Sequence, residues 1–259
     1  MQDDLPHNRF KRALKAGEVQ IGLWLSTCSP VSTEAASGAG FDWLIIDMEH
    51  SANEVPDVLN HLRAAEGGTA EAIVRLSWNE PVLVKRLLDI GARTLLFPFV
   101  QSADEARKAV AATRYPPNGI RGVAGVTRAN RFGRVPNYFK RAEEEICVLV
   151  QVETRKAASV IEEIAAVDGV DGVFIGPADL SADMGYPNDW DRPEVWPTIL
   201  DAGARIRKAG KSAGFLSGKE SDCRKVLEGG FNFVAVGSDL GLVARGADAL
   251  VKTYSNAKT

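Results

Sequence analysis

Ile146-Cys-Val-Leu-Val-Gln-Val-Glu-Thr154 is the stretch on which the reading of this chain turns. Its period is two, the period of a strand. Val148, Val150 and Val152 share one face, suited to packing against helices, and Cys147, Leu149, Gln151 and Glu153 share the other. The run ends on a carboxylate. The next apolar run, Gly172–Ile175, closes in the same manner on Gly176-Pro-Ala-Asp179.

Outward from this pair, β-rich runs alternate with helical segments along the whole chain. Strands are expected at Val19–Ser26, Asp42–Asp47, Ala70–Leu76, Thr94–Phe97, Ile146–Val152, Gly172–Ile175, Ser212–Leu216 and Asn232–Val236. Amphipathic stretches lie between them at Glu54–Ala65, Pro81–Ile90, Ala103–Ala112, Thr154–Ala165, Val195–Ala209 and Lys219–Glu228. An extra helix at about Asn8–Ala16 precedes the first strand, and a last helix runs from about Leu240 to Tyr254. Eight strand–helix units predict a (β/α)₈ barrel in a single domain spanning 1–259. A doubly wound sheet is the alternative, but no G-x-G-x-x-G follows the first strand. The long irregular stretch, Tyr115 to Lys140, carries Arg121, Arg128, Arg131 and Arg134; these suit either steering of anionic substrates or subunit contacts.

Composition narrows the function classes. The 259 residues are 45% hydrophobic and 25% charged, enough for a large core, and the net charge of −3 gives no electrostatic reason to expect nucleic acid. No apolar run is long enough to cross a bilayer. The first residues lack the basic and apolar regions of a secretory signal, and the odd, scattered Cys28, Cys147 and Cys223 read as reduced, buried thiols. A cytoplasmic location is expected.

Barrel chemistry gathers where strands end. Glu153 and Asp179 are hard oxygen donors on neighbouring strand ends with no His or Cys beside them, which suits a Mg²⁺-like ion that keeps positions open for substrate. Each has a plainer reading. Glu153 suits capping of the following helix or pairing with Arg155, and Asp179 suits a helix start. Arg75 shares the inward face with Ile73 and offers a fork for a carboxylate or oxyanion, or else an internal salt bridge to Asp47 or Glu49. His50, just past the second strand, is placed for general-base work or for a structural hydrogen bond. The free amides of Ala178 and Asp179 after Gly176-Pro177 suit a substrate carboxylate. The only lysine at a strand edge, Lys211, is at the entry of its strand, so a metal mechanism is favoured over an imine one.

Gly22-Leu-Trp24, Phe41-Asp-Trp-Leu-Ile-Ile-Asp-Met-Glu-His50, Arg75, Leu87-Leu-Asp-Ile-Gly-Ala92, Tyr115-Pro-Pro-Asn-Gly-Ile-Arg-Gly122, Gln151-Val-Glu-Thr154 and Val173-Phe-Ile-Gly-Pro-Ala-Asp-Leu-Ser181, taken together, resemble the HpcH/HpaI family of metal-dependent (class II) pyruvate aldolases. The resemblance implies that Glu153 and Asp179 hold a divalent ion (Mg²⁺, Mn²⁺ or Co²⁺) with Gln151 nearby. It implies that Arg75 contacts the keto oxygen of pyruvate and that His50 acts as base, oriented by Asp89. It further implies that Asp47 and Glu49 order the groups behind them. Trp24, Gln151, Gly176, Pro177, Ala178 and Leu216 are the remaining candidates for substrate contact. The implied substrates are a 2-oxo acid and an aldehyde, with neither nucleic acid nor membrane as partner. The implied assembly is a homohexamer in which the last helix and the Arg-rich loop lie at interfaces. Two rivals remain at this point, a lyase acting on citramalyl- or malyl-type thioesters and a silent barrel that binds 2-oxo acids.

Overall fold

The computed structural model describes residues 5–255. Helix α1 (Arg9–Ala16) opens the chain, with the Asn8 side chain accepting from the Lys11 amide and Gly17 ending it in the left-handed region. Then follow β1 (Gln20–Leu25), α2 (Pro30–Ser37), β2 (Trp43–Asp47), α3 (Val55–Ala65), β3 (Glu71–Arg75), α4 (Pro81–Asp89), β4 (Thr94–Phe97) and α5 (Ala103–Thr113). The second half contains α6 (Tyr138–Glu145), β5 (Cys147–Val152), α7 (Arg155–Ser159), α8 (Ile161–Ala165), β6 (Gly172–Ile175), α9 (Pro177–Asp183), α10 (Val195–Lys208), β7 (Ser212–Leu216), α11 (Glu220–Glu228), β8 (Phe233–Ser238) and α12 (Asp239–Tyr254).

All eight strands are parallel, each paired with its sequence neighbours, and β8 pairs with β1 to close the barrel. The expected strands agree to within one or two residues. Four stretches differ from expectation, one of them Tyr138–Glu145, a helix where none was expected. Pro30–Ser37 is a helix capped by Ser29, Thr154–Ala165 is two short helices broken at Val160, and Pro177–Asp183 is a full helix after the Gly-Pro turn. Each is five to eight residues long, too short to show a periodic apolar stripe.

The core has two layers. Inside the barrel lie Trp24, Trp43, Ile45, Ile73, Leu96, Cys147, Leu149, Phe174 and Phe233, with Phe10 and Leu14 of α1 plugging the end where strands begin. Burying a side chain such as Phe10 is worth about 1.5–3 kcal/mol, which is what holds α1 across that end. The outer layer places Val148, Val150 and Val152 against the helices, as the alternation in β5 requires. Cys147 and Cys223 are buried free thiols; Cys28, expected to be buried, is partly exposed in the turn before α2. Among the described residues no helix is long and apolar enough to cross a membrane.

Candidate active site

A cavity of about 380 Å³ opens at the end of the barrel where the strands finish. Its lining brings together Trp24 of β1, Asp47 and His50 of β2 and its turn, Arg75 of β3, Gln151 and Glu153 of β5, Gly176 to Asp179 at the start of α9, and Leu216 of β7. Parallel strands point their C-terminal ends the same way, so residues far apart in sequence converge here.

Arg75 is held on two sides. Its Nε and Nη2 donate to Asp47 Oδ1 and Oδ2 at 3.0 and 2.7 Å, and Nη1 lies 2.8 Å from Glu49 Oε2. The Glu49 contact is an ion pair without hydrogen-bond alignment, since that buried oxygen has no hydrogen-bond partner. The internal pairing considered as an alternative for Arg75 is therefore present with both acids. Only two of the five guanidinium N–H groups donate hydrogen bonds, to Asp47, which leaves the others for a substrate. The Trp24 ring lies 4.8 Å beneath the guanidinium, and its Nε1 donates to Asp47 Oδ2 at 3.2 Å. Asp47 Oδ1 also accepts the Glu49 and His50 amides at 2.9 and 3.3 Å. Burial would raise the Asp47 pKa, but Arg75 and these donors outweigh it and hold the carboxyl below its ordinary range.

Glu153 is almost fully buried. Its Oε2 accepts the Phe99 amide at 3.0 Å, and Oε1 accepts from Gln151 Nε2. It caps no helix, because Thr154 accepts the Ala157 amide, and Arg155 pairs with Asp183 instead. Burial, reinforced by the nearby carboxylates of Glu49 and Asp179, pushes its pKa up to about 8. Gly176 is required at close quarters: a Cβ there would lie 2.4 Å from Glu153 Oε1. Asp179 sits in the first turn of α9, exposed to the cavity, with no hydrogen bond or ion pair to the described residues.

This donor set fits a hard divalent cation. A buried carboxylate crowded by two others, an unengaged carboxylate facing it, and the buried Gln151 Oε1 without a partner all seek positive charge or a donor. Among the described residues no three His, Cys, Asp or Glu side chains form a closed metal cluster. Two carboxylates with open positions match the way Mg²⁺-like ions are shared with substrate.

Within one chain, two sets of candidate residues lie away from this cavity. Asp89 does not reach His50 of the same chain: it ends α4 and leads into the start of β4, at the opposite end of the barrel, where Arg121 Nη2 donates to its Oδ1 at 2.8 Å. The loop arginines also lie away from this cavity. None lines it, and Arg128 is tied to Glu66 and the Ile90 carbonyl beside a second cavity of about 500 Å³ at the strand-start end. That second cavity lacks the strand-end position where barrel chemistry occurs.

Other residues have no local sequence signal. Asn53 donates to the Asp47 carbonyl at 2.8 Å and accepts from or faces His61 Nε2 at 3.0 Å, pinning the turn that carries His50. Trp190, held by Asp222 at 3.0 Å, and Arg245 of α12 complete the outer wall.

Comparison with known proteins places the chain in context. The family model described as HpcH/HpaI aldolase/citrate lyase matches residues 20–246. A protein of Klebsiella pneumoniae called 4-hydroxy-2-oxo-heptane-1,7-dioate aldolase is 55% identical, over 98% of this chain and 96% of its own length. Among solved structures, an HpcH/HpaI aldolase/citrate lyase family protein from Burkholderia cenocepacia superposes with a TM-score of 0.93 at 39% identity, covering 96% of this chain and 99% of its own. An HpcH/HpaI aldolase from Desulfitobacterium hafniense gives 0.88 at 29% identity, covering 96% of each chain.

Proposed function

The chain belongs to the HpcH/HpaI aldolase/citrate lyase family, and from that premise we propose that it is a lyase that reversibly cleaves 4-hydroxy-2-oxo acids to pyruvate (or hydroxypyruvate) and an aldehyde. The carrying observation is that Glu153, Asp179, Arg75 and His50 share one strand-end cavity.

Glu153 and Asp179 would hold a divalent ion (Mg²⁺, Mn²⁺ or Co²⁺), which when bound supplies Lewis-acid polarisation of the 2-oxo acid. Gln151 fixes the Glu153 carboxylate from the side. Ala178 and Asp179, in the first turn of α9, have amides without intrahelical acceptors and suit the substrate carboxylate. Trp24 and Leu216 pack against the carbon chain, and Pro177 with Gly176 fixes the turn beneath it.

His50 takes the proton of the C4 hydroxyl as that oxygen becomes the aldehyde carbonyl, a contribution of about 10²–10⁴-fold if typical of general bases. The electron pair of the C3–C4 bond moves into C2–C3, and charge builds on the keto oxygen. The uncommitted N–H groups of Arg75 meet that charge. Protonation of C3 then gives pyruvate, and His50 returns to its starting state.

A homo-oligomer, in the family's hexameric form, is part of this reading. It is supported by α12, whose Leu242, Val243, Leu250 and Val251 are all exposed, a run of apolar surface that a second copy of this chain would cover. Light scattering tests it. A cytoplasmic location accords with three free cysteines.

The deciding experiment follows deuterium entry into the pyruvate methyl group, together with aldehyde release from a 4-hydroxy-2-oxo acid, in metal-stripped and reloaded protein. Exchange should require metal and vanish in Arg75→Ala. Full exchange in that variant removes Arg75 from the mechanism, and full turnover by stripped protein removes the metal.

A further inference from the structure

We propose that His61 is a positioning residue for the reaction: its ring, fixed as the Nε2–H tautomer between Thr33 and Asn53, sets the turn that presents His50. The assignment deepens the aldolase reading of the cavity and rests on it.

His61 is on α3 and does not line the cavity. It is buried, as are the two residues it bridges, Thr33 of α2 and Asn53 of the turn after β2. The chemistry of the partners fixes where each hydrogen sits. The Asp47 carbonyl can only accept, so the Asn53 atom 2.8 Å from it is the amide nitrogen. The second hydrogen of that nitrogen goes to Ser51 Oγ at 2.9 Å, and Ser51 donates its own to the Asp47 carbonyl. Asn53 Oδ1 therefore faces His61 Nε2, at 3.0 Å, and an amide oxygen can only accept, so Nε2 carries the hydrogen. In a neutral ring Nδ1 is then bare, and it accepts from Thr33 Oγ1 at 2.6 Å. Burial keeps the ring neutral, holding its pKa below the ordinary range against smaller pulls from Asp239 and Asp57. Reversing any of these bonds would set two donors or two acceptors face to face.

The bonds converge on Asp47. Its side chain takes Arg75, Trp24 and the Glu49 and His50 amides, which fixes the start of the turn. Its carbonyl takes Asn53 and Ser51, which draws the far end of the turn back and, through His61, ties it to α2 and α3. His50 is exposed, and its side chain makes no hydrogen bond among the described residues. Within one chain, the backbone of the turn alone sets where the candidate base stands. The His61 ring suits such a tie because it is a rigid spacer, donor at one edge and acceptor at the other. A longer, freely rotating side chain would lose more rotamer entropy in the same bridge.

The test begins on wild-type protein. Nitrogen-15 NMR of the histidine rings near neutral pH should show His61 as one tautomer, with hydrogen on Nε2 and a bare Nδ1. His61→Leu should lower kcat for cleavage of a 4-hydroxy-2-oxo acid about 10–100-fold, the scale of a misplaced catalytic group. KM and Mg²⁺ affinity should hold, and hydrogen exchange at residues 48–51 should quicken. His61→Gln carries an N–H at the reach of Nε2 and should restore most of kcat. His61→Asn reaches only as far as Nδ1 and should not. A role in filling space alone would move these two variants together, and their comparison stands even where His61→Leu does not fold. An Nδ1–H tautomer in the wild-type spectrum overturns the assignment of His61. So does a kcat unmoved in His61→Leu, a loss carried by KM, or an equal loss in His61→Gln and His61→Asn; each leaves the aldolase reading standing. Wild-type protein that neither exchanges the pyruvate methyl hydrogens nor cleaves a 4-hydroxy-2-oxo acid overturns the aldolase reading, and this assignment with it.

Discussion

Asp47 and Arg75 are register partners on adjacent strands, and their side chains meet edge to edge, with both pairs of heavy atoms within 3.0 Å and both residues buried. The pair also gathers Trp24, the amides of Glu49 and His50, and Glu49 itself around one point. It is the scaffold on which the candidate base and the candidate oxyanion donor are both mounted.

Removing one partner of such a pair leaves the other charge buried without compensation. Asp47→Ala is expected to lower stability by about 3–5 kcal/mol, read as a shift in the urea midpoint. Pyruvate exchange should fall as well, because the His50 turn loses its anchor. The sign with pH follows from the lowered Asp47 pKa. Its contribution is complete above the unfolded value near 3.8 and is lost as pH falls through the lower folded value. The variant should therefore flatten the acid limb of the stability curve.

Glu153 behaves in the opposite sense. Its folded pKa of about 8 exceeds the ordinary 4.5, so the metal-free protein should lose stability as pH rises from 4.5 through 8. Metal binding must displace that proton. Titration calorimetry at pH 7 in buffers of different ionisation enthalpy should register roughly one proton released, and affinity should climb until about pH 8. Buffer-independent heats sink this account.

Glu153→Gln keeps the shape and removes the charge. The expected outcome is loss of metal binding with a metal-free protein at least as stable as wild type at pH 8, measured by thermal melting with and without Mg²⁺. A like-charge cluster relieved of one member has less repulsion to hold in.

Gly176→Ala places a methyl 2.4 Å from Glu153 Oε1. Glu153 must move, and a misplacement of about 1 Å can cost on the order of 10²-fold in rate. Circular dichroism should be unchanged while turnover falls and metal affinity weakens. Wild-type kinetics would show that the carboxylate has room to yield.

Asn53→Ala removes the buried link between His61 and the Asp47 carbonyl. Leaving buried polar groups unpaired costs about 1–3 kcal/mol. The turn that carries His50 should become more mobile, so hydrogen exchange at residues 48–51 is expected to quicken and kcat to drop. Normal exchange there would assign Asn53 to stability alone.

The barrel was legible because its cause is local and repeated. Strand alternation in β5 and Ile73–Arg75 in β3 predicts which side chains point inward, and the structure places Gln151, Glu153 and Arg75 accordingly. The strand-end rule then finds Glu153, Asp179, Arg75 and His50 without any knowledge of their contacts. Within one chain Asp89 and His50 lie on opposite ends of the barrel because α4 runs back against its strand, a separation that residue spacing alone does not reveal.

The sequence by itself determined the number and order of the strands, the face each inward residue occupies and the hard-oxygen character of the candidate site, since periodicity and residue chemistry are written into neighbouring positions. Only the tertiary structure decided the partners. Barrel closure seats Arg75 between Asp47 and Glu49 and buries Glu153 deeply enough to favour its protonated form. Pairing and desolvation depend on what the whole chain brings to within a few ångströms, and no short stretch of sequence carries that.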